Sequence, residues 1–148
     1  MSLTDSIAKV DRLQLATSRY QNYGTLEASG LVPVRITRGA PRWKLPYRLG
    51  ASVSILAPTR EVFAIEDPFE FDRAYRAQLA AIGVPEIYEQ LDRISREAGG
   101  RGLVLLCFED VQILGELSCH RRTFARWWEE STDQVVPELP AVLQPLSL

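Results

Sequence analysis

The chain has 148 residues, a net charge of −2, and apolar and charged fractions of 46% and 24%. These values are average for a folded soluble protein, and they exclude a disordered, collagenous or fibrous chain. The length suits one domain with a single core. No apolar run of about eighteen residues occurs, so no membrane-spanning helix is expected. The first residues, MSLTD, lack the plan of a secretory signal, which predicts a cytoplasmic protein with two reduced cysteines.

Basic and acidic residues separate along the chain. Residues 12–48 carry seven basic residues and one acidic residue, whereas residues 61–98 carry nine acidic and four basic residues. Fifteen of the seventeen basic residues are arginine, whose planar guanidinium binds phosphate and carboxylate through paired donors. This pattern favours an anionic partner for the first third of the chain. The alternative is a coding bias toward arginine with ordinary solvated charge.

Two strands are predicted in the first third of the chain, at residues 13–18 (LQLATS) and 32–37 (VPVRIT). Both are rich in apolar and β-branched residues and lie between turn-forming stretches. The NYG and SG sequences are turn signals that punctuate the connection between them. Residues 39–58 hold three prolines and two glycines, which predicts a long ordered loop with a short strand at residues 53–56.

Two helices and a buried strand follow. The first helix is predicted from a cap at Asp67, within a D-x-x-E capping box, to a stop at Gly83. The second runs from near Pro85 to Gly99, with apolar residues at spacings of four, three and four. Residues 103–107 (LVLLC) are continuously apolar, which is typical of a strand buried on both faces. We therefore predict a single α/β domain over residues 1–148, with a mostly parallel sheet flanked by helices.

A third helix and a proline-containing tail complete the chain. The helix is expected to begin at Ser118 or Cys119 and to contain Trp127 and Trp128. The tail, residues 137–148, has three prolines among leucines and either packs as an extended strap or stays loose. The two tryptophans and the tail are candidates for a homodimer interface.

Polar side chains follow the predicted strands where each one ends. In open α/β sheets, ligands gather outside the carboxyl ends of the strands. If the three main strands are parallel, the polar side chains at their carboxyl ends converge on one cleft. The side chains delivered there are Ser18, Arg19, Tyr20, Arg38, Cys107 and Glu109.

The first turn of the third helix is a second candidate site. His120, the single histidine of the chain, follows Cys119 and precedes Arg121 and Arg122. A helix start disfavours basic residues, so a bound anion would explain them, and a thiol there would have a lowered pKa and be nucleophilic. The alternative is that the arginines point to solvent and Cys119 fills the core.

A metal site is a further alternative. Cys107, Cys119 and His120 have the chemistry of three zinc ligands, with Glu109 as a fourth. The short C-x-x-C spacing is absent, so no metal ligand or cofactor is assigned from the sequence. The cysteine-phosphatase loop, the P-loop and the G-x-G-x-x-G motif are absent as well, and no Ser-His-Asp triad can be assigned by spacing.

Four short motifs give the chain a family resemblance: TSRY at residues 17–20, VRITRGAP at 34–41, LLCFE at 105–109 and CHRR at 119–122. In this order, over about residues 13–130, the chain resembles the domain-of-unknown-function family 488 of small bacterial and archaeal proteins, in its shorter actinobacterial-type branch. LLCFE and CHRR correspond to the family's L-L-C-[YF]-E and C-H-R elements. The resemblance supplies no reaction. It implies an α/β domain with one pocket formed by Arg19, Cys107, Glu109, Cys119, His120 and Arg121.

The leading hypothesis is an enzyme or enzyme-like domain that binds a phosphate-bearing ligand, such as a nucleotide or a nucleic-acid end. Glu109 would be the general acid or base, assisted by His120, and Cys119 the nucleophile. Alternatives are a non-catalytic module that binds an anion or nucleic acid, and a Cys/His metal-binding domain. The anion is expected to contact the guanidinium groups of Arg19, Arg38 and Arg121.

Overall fold

The computed structural model describes residues 13–109, 111–115, 117 and 119–139. Within them, four strands form one all-parallel sheet in the order β1-β4-β2-β3, which confirms the predicted α/β class. The strands are β1 (Leu15–Arg19), β2 (Val32–Arg35), β3 (Ala51–Ser52) and β4 (Leu103–Cys107).

Helices connect these strands and follow the last of them. A 3-10 helix, Ser54–Leu56, comes directly after β3. None of the described helices is long and apolar enough to cross a bilayer. In the described part of the chain the α-helices are α1 (Tyr23–Ser29), α2 (Arg60–Phe63), α3 (Pro68–Ile82), α4 (Val84–Glu97), α5 (Val111–Leu114) and α6 (His120–Thr132).

Local sequence signals determine where α3 and α4 begin and end. The Asp67 carboxylate accepts a hydrogen bond from the Glu70 backbone N–H at 2.8 Å, which satisfies one of the free donors at the start of α3. Gly83, at φ 92°, ends α3 and immediately precedes α4. Gly99 and Gly100 follow α4 with positive φ values. The predicted bounds of both helices are confirmed to within one or two residues.

The sheet separates two apolar clusters. Side chains alternate along β4, so Leu103, Leu105 and Cys107 face one cluster while Val104 and Leu106 face the other. All five side chains are fully buried, as predicted for this strand. The first, larger cluster contains side chains of α3, α4 and α6, and the second contains side chains of α1 and of the loop before β3.

The connection between β1 and β2 contains α1, a seven-residue helix that the sequence did not predict; it buries Leu26 and is capped by Gly30 in the left-handed region. The prediction of a strand at residues 53–56 is wrong, because the strand of this segment is Ala51–Ser52 and Ser54–Leu56 form the 3-10 helix. A Cβ at Gly50 would meet the Val32 side chain at 2.4 Å, so glycine permits the close approach that starts β3.

The third predicted helix, α6, begins at His120, one residue after the later of its two predicted starts. Cys119 is the extended N-cap residue of α6, and Ser118 lies outside the described residues. Trp127 and Trp128 are buried in this chain's own core beside Phe124, which removes them as candidates for a homodimer interface.

The start of the tail packs on the domain. The Thr17 N–H donates to the Pro137 carbonyl at 2.9 Å, and the Leu139 N–H donates to the Thr17 carbonyl at 2.7 Å. We call residues 137–139 the strap. The strap alternative is thus confirmed for these residues, and residues 140–148 lie outside the described part.

Candidate functional site

The carboxyl ends of β1, β2 and β4 lie at the same end of the sheet because all three strands are parallel. Arg19 is the register partner of Cys107 across the β1–β4 pair. The first turn of α6 brings Cys119 and His120 to the same place. The structure therefore confirms that the strand ends and the start of the third helix converge.

Two thiols and one imidazole form a compact buried group, which we call the Cys2His cluster: Cys107, Cys119 and His120. The Cys107 sulfur lies 3.5 Å from Nδ1 and 3.4 Å from Nε2 of His120. The Cys119 sulfur lies 4.0 Å from Nδ1. One potential ligand atom from each residue lies within 4.8 Å of the other two, and all three residues are buried.

The His120 ring is fixed by contacts on its other side. Its Nε2 lies 2.7 Å from the Ile36 carbonyl oxygen, and a carbonyl only accepts hydrogen bonds, so Nε2 carries a proton. The Tyr75 ring makes an edge contact with the imidazole at a centroid distance of 5.3 Å. These contacts fix the ring and leave Nδ1, 4.0 Å from the Cys119 sulfur, as the nitrogen without a carbonyl partner.

The pKa values of the two thiols are shifted in opposite directions. Burial opposes ionisation of Cys119, but hydrogen bonds with Cys107 and His120 and the charges of His120 and Arg121 hold the pKa of its thiol well below the usual value. Burial, and then the neighbouring Cys119, raise the pKa of Cys107 well above it. Burial lowers the pKa of His120, but the contact with Cys119 outweighs burial and raises it. These pKa shifts favour a negative charge on Cys119 and a positive charge on His120.

A cavity of about 640 Å³ adjoins the cluster. His120, Glu109 and Arg38 contribute polar groups to its wall, and aromatic rings from Phe63, Phe71 and Phe108 contribute apolar surface. The two cysteines are not part of that wall, so the cavity meets the cluster through His120. Burial, and then the charge of Cys119, raise the pKa of Glu109.

Arg121, predicted to bind an anionic ligand, is instead paired inside the protein. Its side chain is 0% exposed, and its Nε and one terminal nitrogen donate to the two Glu138 carboxylate oxygens at 3.0 and 2.8 Å. Arg122 donates to the Val136 carbonyl at 3.0 Å and to the Thr17 hydroxyl at 2.7 Å. The anion at the start of α6 is thus a carboxylate of the strap.

The predicted ligand contacts from β1 lie outside the cavity wall. Ser18 is buried, donates to the Leu139 carbonyl at 3.2 Å and accepts from the Asn22 side chain at 2.8 Å. Tyr20 is buried, and its hydroxyl lies 2.8 Å from that of Thr37, which does line the cavity. Burial raises the pKa of Tyr20 to about 12, so its hydroxyl stays protonated. Arg19 is half-buried at the end of β1.

Part of the cavity wall had no sequence signal. Thr37 and Phe63 were not among the predicted site residues, and Phe63 lies on α2, a helix that the sequence did not predict. Phe71 was recognisable as part of the apolar stripe of α3, but the stripe alone indicated a core position. Phe63 and Phe71 line the cavity together because α2 packs beside α3.

Two short motifs supply the whole Cys2His cluster. LLCFE provides Cys107, and CHRR provides Cys119 and His120. No protein-family model, no curated protein and no solved structure matches this chain. The resemblance to the domain-of-unknown-function family 488 therefore stays a prediction.

Proposed function

We propose that the protein binds a small phosphate-bearing ligand, such as a nucleotide or a nucleic-acid end, in the cavity beside His120 and acts on it as an enzyme. One observation carries the proposal: Arg38, Glu109 and His120 come from three different segments and line one cavity. The cavity lies outside the carboxyl ends of parallel strands, where ligands of α/β folds bind. Its volume of about 640 Å³ falls within the usual range for small-molecule sites.

Arg38 is suited to hold the phosphate. It is exposed, and one of its terminal nitrogens donates to the Pro58 carbonyl at 3.2 Å, which anchors the side chain at the cavity mouth. The Arg35 side chain donates to the Arg38 carbonyl at 2.7 Å and fixes the backbone. A guanidinium has five N–H donors, so an anchored Arg38 still has donors for phosphate oxygens.

The apolar wall favours a ligand with a flat ring attached to its phosphate. Phe108 packs against Tyr20 at a centroid distance of 4.9 Å, which holds its ring in place. Phe63 and Phe71 bring two further rings from α2 and α3. Nucleobases stack on such aromatic side chains, which supports a nucleotide over a free phosphate ion.

Glu109 is the group placed to act on the bound ligand. Its carboxylate is a candidate general acid or base because it lines the same cavity as Arg38. His120 also lines the cavity, but its Nε2 donates to the Ile36 carbonyl and its Nδ1 lies beside the sulfur atoms of the cluster, so the proposal gives it no proton transfer to the ligand. Cys119 is 2% exposed and does not line the cavity, so the proposal gives its thiol no direct attack on the ligand.

A binding assay with matched arginine variants tests this proposal. We expect calorimetry to detect nucleoside mono- or diphosphate binding, and Arg38→Ala to weaken it by at least about 10-fold, because a charge-assisted hydrogen bond contributes roughly 1.5 to 3 kcal/mol. Arg42→Ala removes an exposed arginine of the same loop and should leave the affinity unchanged. Equal losses in the two variants would indicate diffuse attraction to the basic segment.

A variant of Glu109 separates an enzyme from a binding module. Glu109→Gln should retain nucleotide affinity and lose turnover of the bound nucleotide, measured by phosphate release or by chromatography of the products. Unchanged turnover in this variant would contradict the role of Glu109. Binding that weakens steeply with salt, with no turnover by the wild-type protein, would instead identify a non-catalytic module.

A further inference from the structure

We propose that Cys107, Cys119 and His120 bind one zinc ion, independently of whether the cavity binds a phosphate. Two different elements, the end of β4 and the start of α6, bring two thiols and an imidazole together inside the protein. Thiolate and imidazole are the ligands that zinc prefers. Clusters of exposed carboxylates are common without a bound ion. This group is buried instead, and none of its three residues is a carboxylate.

The distances within the cluster fit a tetrahedral ion. Zinc lies about 2.3 Å from sulfur and about 2.0 Å from nitrogen, which places a coordinated sulfur and nitrogen roughly 3.6 Å apart. The Nδ1 of His120 lies 3.5 Å from the Cys107 sulfur and 4.0 Å from the Cys119 sulfur. The first distance is close to the value expected for a shared ion, and the second exceeds it by about 0.4 Å.

The orientation of His120 is an independent indication. A zinc-bound histidine donates its second ring N–H to a carboxylate or a backbone carbonyl, which fixes the tautomer and the ring. Here Nε2 meets the Ile36 carbonyl at 2.7 Å, which leaves Nδ1 as the nitrogen available to an ion; the Cys119 sulfur lies 4.0 Å from Nδ1, and the Cys107 sulfur lies nearly equally far from both ring nitrogens. A histidine that served only to fill the core would not need a carbonyl on one side and two thiols on the other.

The charge balance also suits a buried ion. When zinc binds, both cysteines bind as thiolates and His120 binds through an unprotonated Nδ1, and the protons that these groups held in the metal-free cluster pass to the solvent buffer. The two thiolates then neutralise the two positive charges of the ion, so the protein buries no net charge at the site. Arg121 adds none, because Glu138 neutralises it through two hydrogen bonds.

Among the residues that the structure describes, three supply ligands to the ion, and we infer that a water molecule takes the fourth zinc position. Glu109, the nearest candidate in sequence, is not a member of the buried group. Three protein ligands and one exchangeable position are the arrangement of catalytic zinc sites, whereas structural sites have four protein ligands.

Cobalt spectroscopy on the intact wild-type chain tests the proposal without a variant. Reduced, metal-free protein without an affinity tag is titrated with Co²⁺, which takes the same ligands as zinc and absorbs light. We expect one equivalent to produce thiolate-to-cobalt charge-transfer bands and the visible bands of a tetrahedral ion, and zinc to abolish both. A folded wild-type protein that shows no such bands with excess Co²⁺ would overturn the proposal.

Variants then assign the ligands. Cys107→Ser and Cys119→Ser should each weaken zinc binding by more than about 100-fold in competition with a chromophoric chelator, since even loss of a second-shell partner costs up to about that much. Arg38→Ala should bind zinc like the wild type while it loses nucleotide affinity, so the two proposals can fail separately. Cysteine variants that remain folded by circular dichroism and bind zinc normally would exclude this ligand set.

Discussion

The Arg121–Glu138 pair explains why basic residues occupy the first turn of α6. Positive charge at a helix start is unfavourable unless an anion neutralises it. The two Glu138 oxygens accept from two Arg121 nitrogens, and Thr17 donates to the same carboxylate at 2.7 Å. The sequence indicated that an anion was needed at this turn. It could not identify that anion as Glu138, because only the path of the strap places the carboxylate there.

Removal of Glu138 should therefore be costly. Arg121 is fully buried and the Glu138 side chain is 15% exposed, so Glu138→Ala leaves a buried charge without its partner. We expect the free energy of unfolding, measured with urea, to fall by about 3 to 5 kcal/mol. Glu129→Ala, at an exposed position of α6, should change it by less than about 0.5 kcal/mol. Similar values for the two variants would contradict a stabilising role of the pair.

At the scale of elements, the sequence predicted well those segments whose signals are local. The cap at Asp67 and the glycine at position 83 define α3, and the continuous apolar run predicts β4, whatever the rest of the chain does. Short elements were missed because tertiary contacts determine them. Helix α1 buries only Leu26, and β3 has two residues whose pairing depends on the close approach of Gly50 to Val32.

Part of the candidate site could likewise be predicted from the sequence, and part of it could not. Convergence of Cys107 with Cys119 and His120 was predictable, because strand ends and helix starts meet at one end of a parallel sheet. The aromatic wall was not, because Phe63 reaches the cavity through the packing of a four-residue helix. A short helix has too few residues for a periodic pattern to indicate it.

The cap of α3 gives a test at this scale. Asp67→Ala removes the acceptor for the Glu70 N–H and should lower the free energy of unfolding by about 1 kcal/mol. Asp67→Asn keeps an oxygen that can accept the same hydrogen bond and should cost much less. Chemical denaturation of both variants measures the difference. Equal losses would mean that the charge of Asp67, and not its hydrogen bond, stabilises the helix start.

At the scale of the whole molecule, the separation of charge along the sequence becomes a separation across the sheet. The acidic helices α3 and α4 pack on the larger cluster. The basic loop before β3 packs Leu45, Tyr47 and Leu49 against the opposite cluster. Arg38, at the start of that loop, is the basic residue that reaches the cavity. The cavity thus lies where Arg38, from the basic segment, meets residues of α3, from the acidic one.

The strap affects how molecules meet each other. In the strand order, β1 and β3 are the outermost strands, and β3 has only two residues, too few to offer a template for another chain. The five residues of β1 are a longer template, and the strap pairs with the N–H and the carbonyl of Thr17 at its centre.

A chain that ends at Val136 would leave that template uncovered. We expect light scattering to show more concentration-dependent association for it than for the full chain. Glu138→Ala, which retains the backbone pairing of the strap, should be less stable but no more prone to associate. If both variants associated equally, the lost stability would be responsible instead of the uncovered strand. If only the shortened chain associates more, the strap protects the sheet against strand pairing between molecules, in addition to supplying Glu138 as the partner of Arg121.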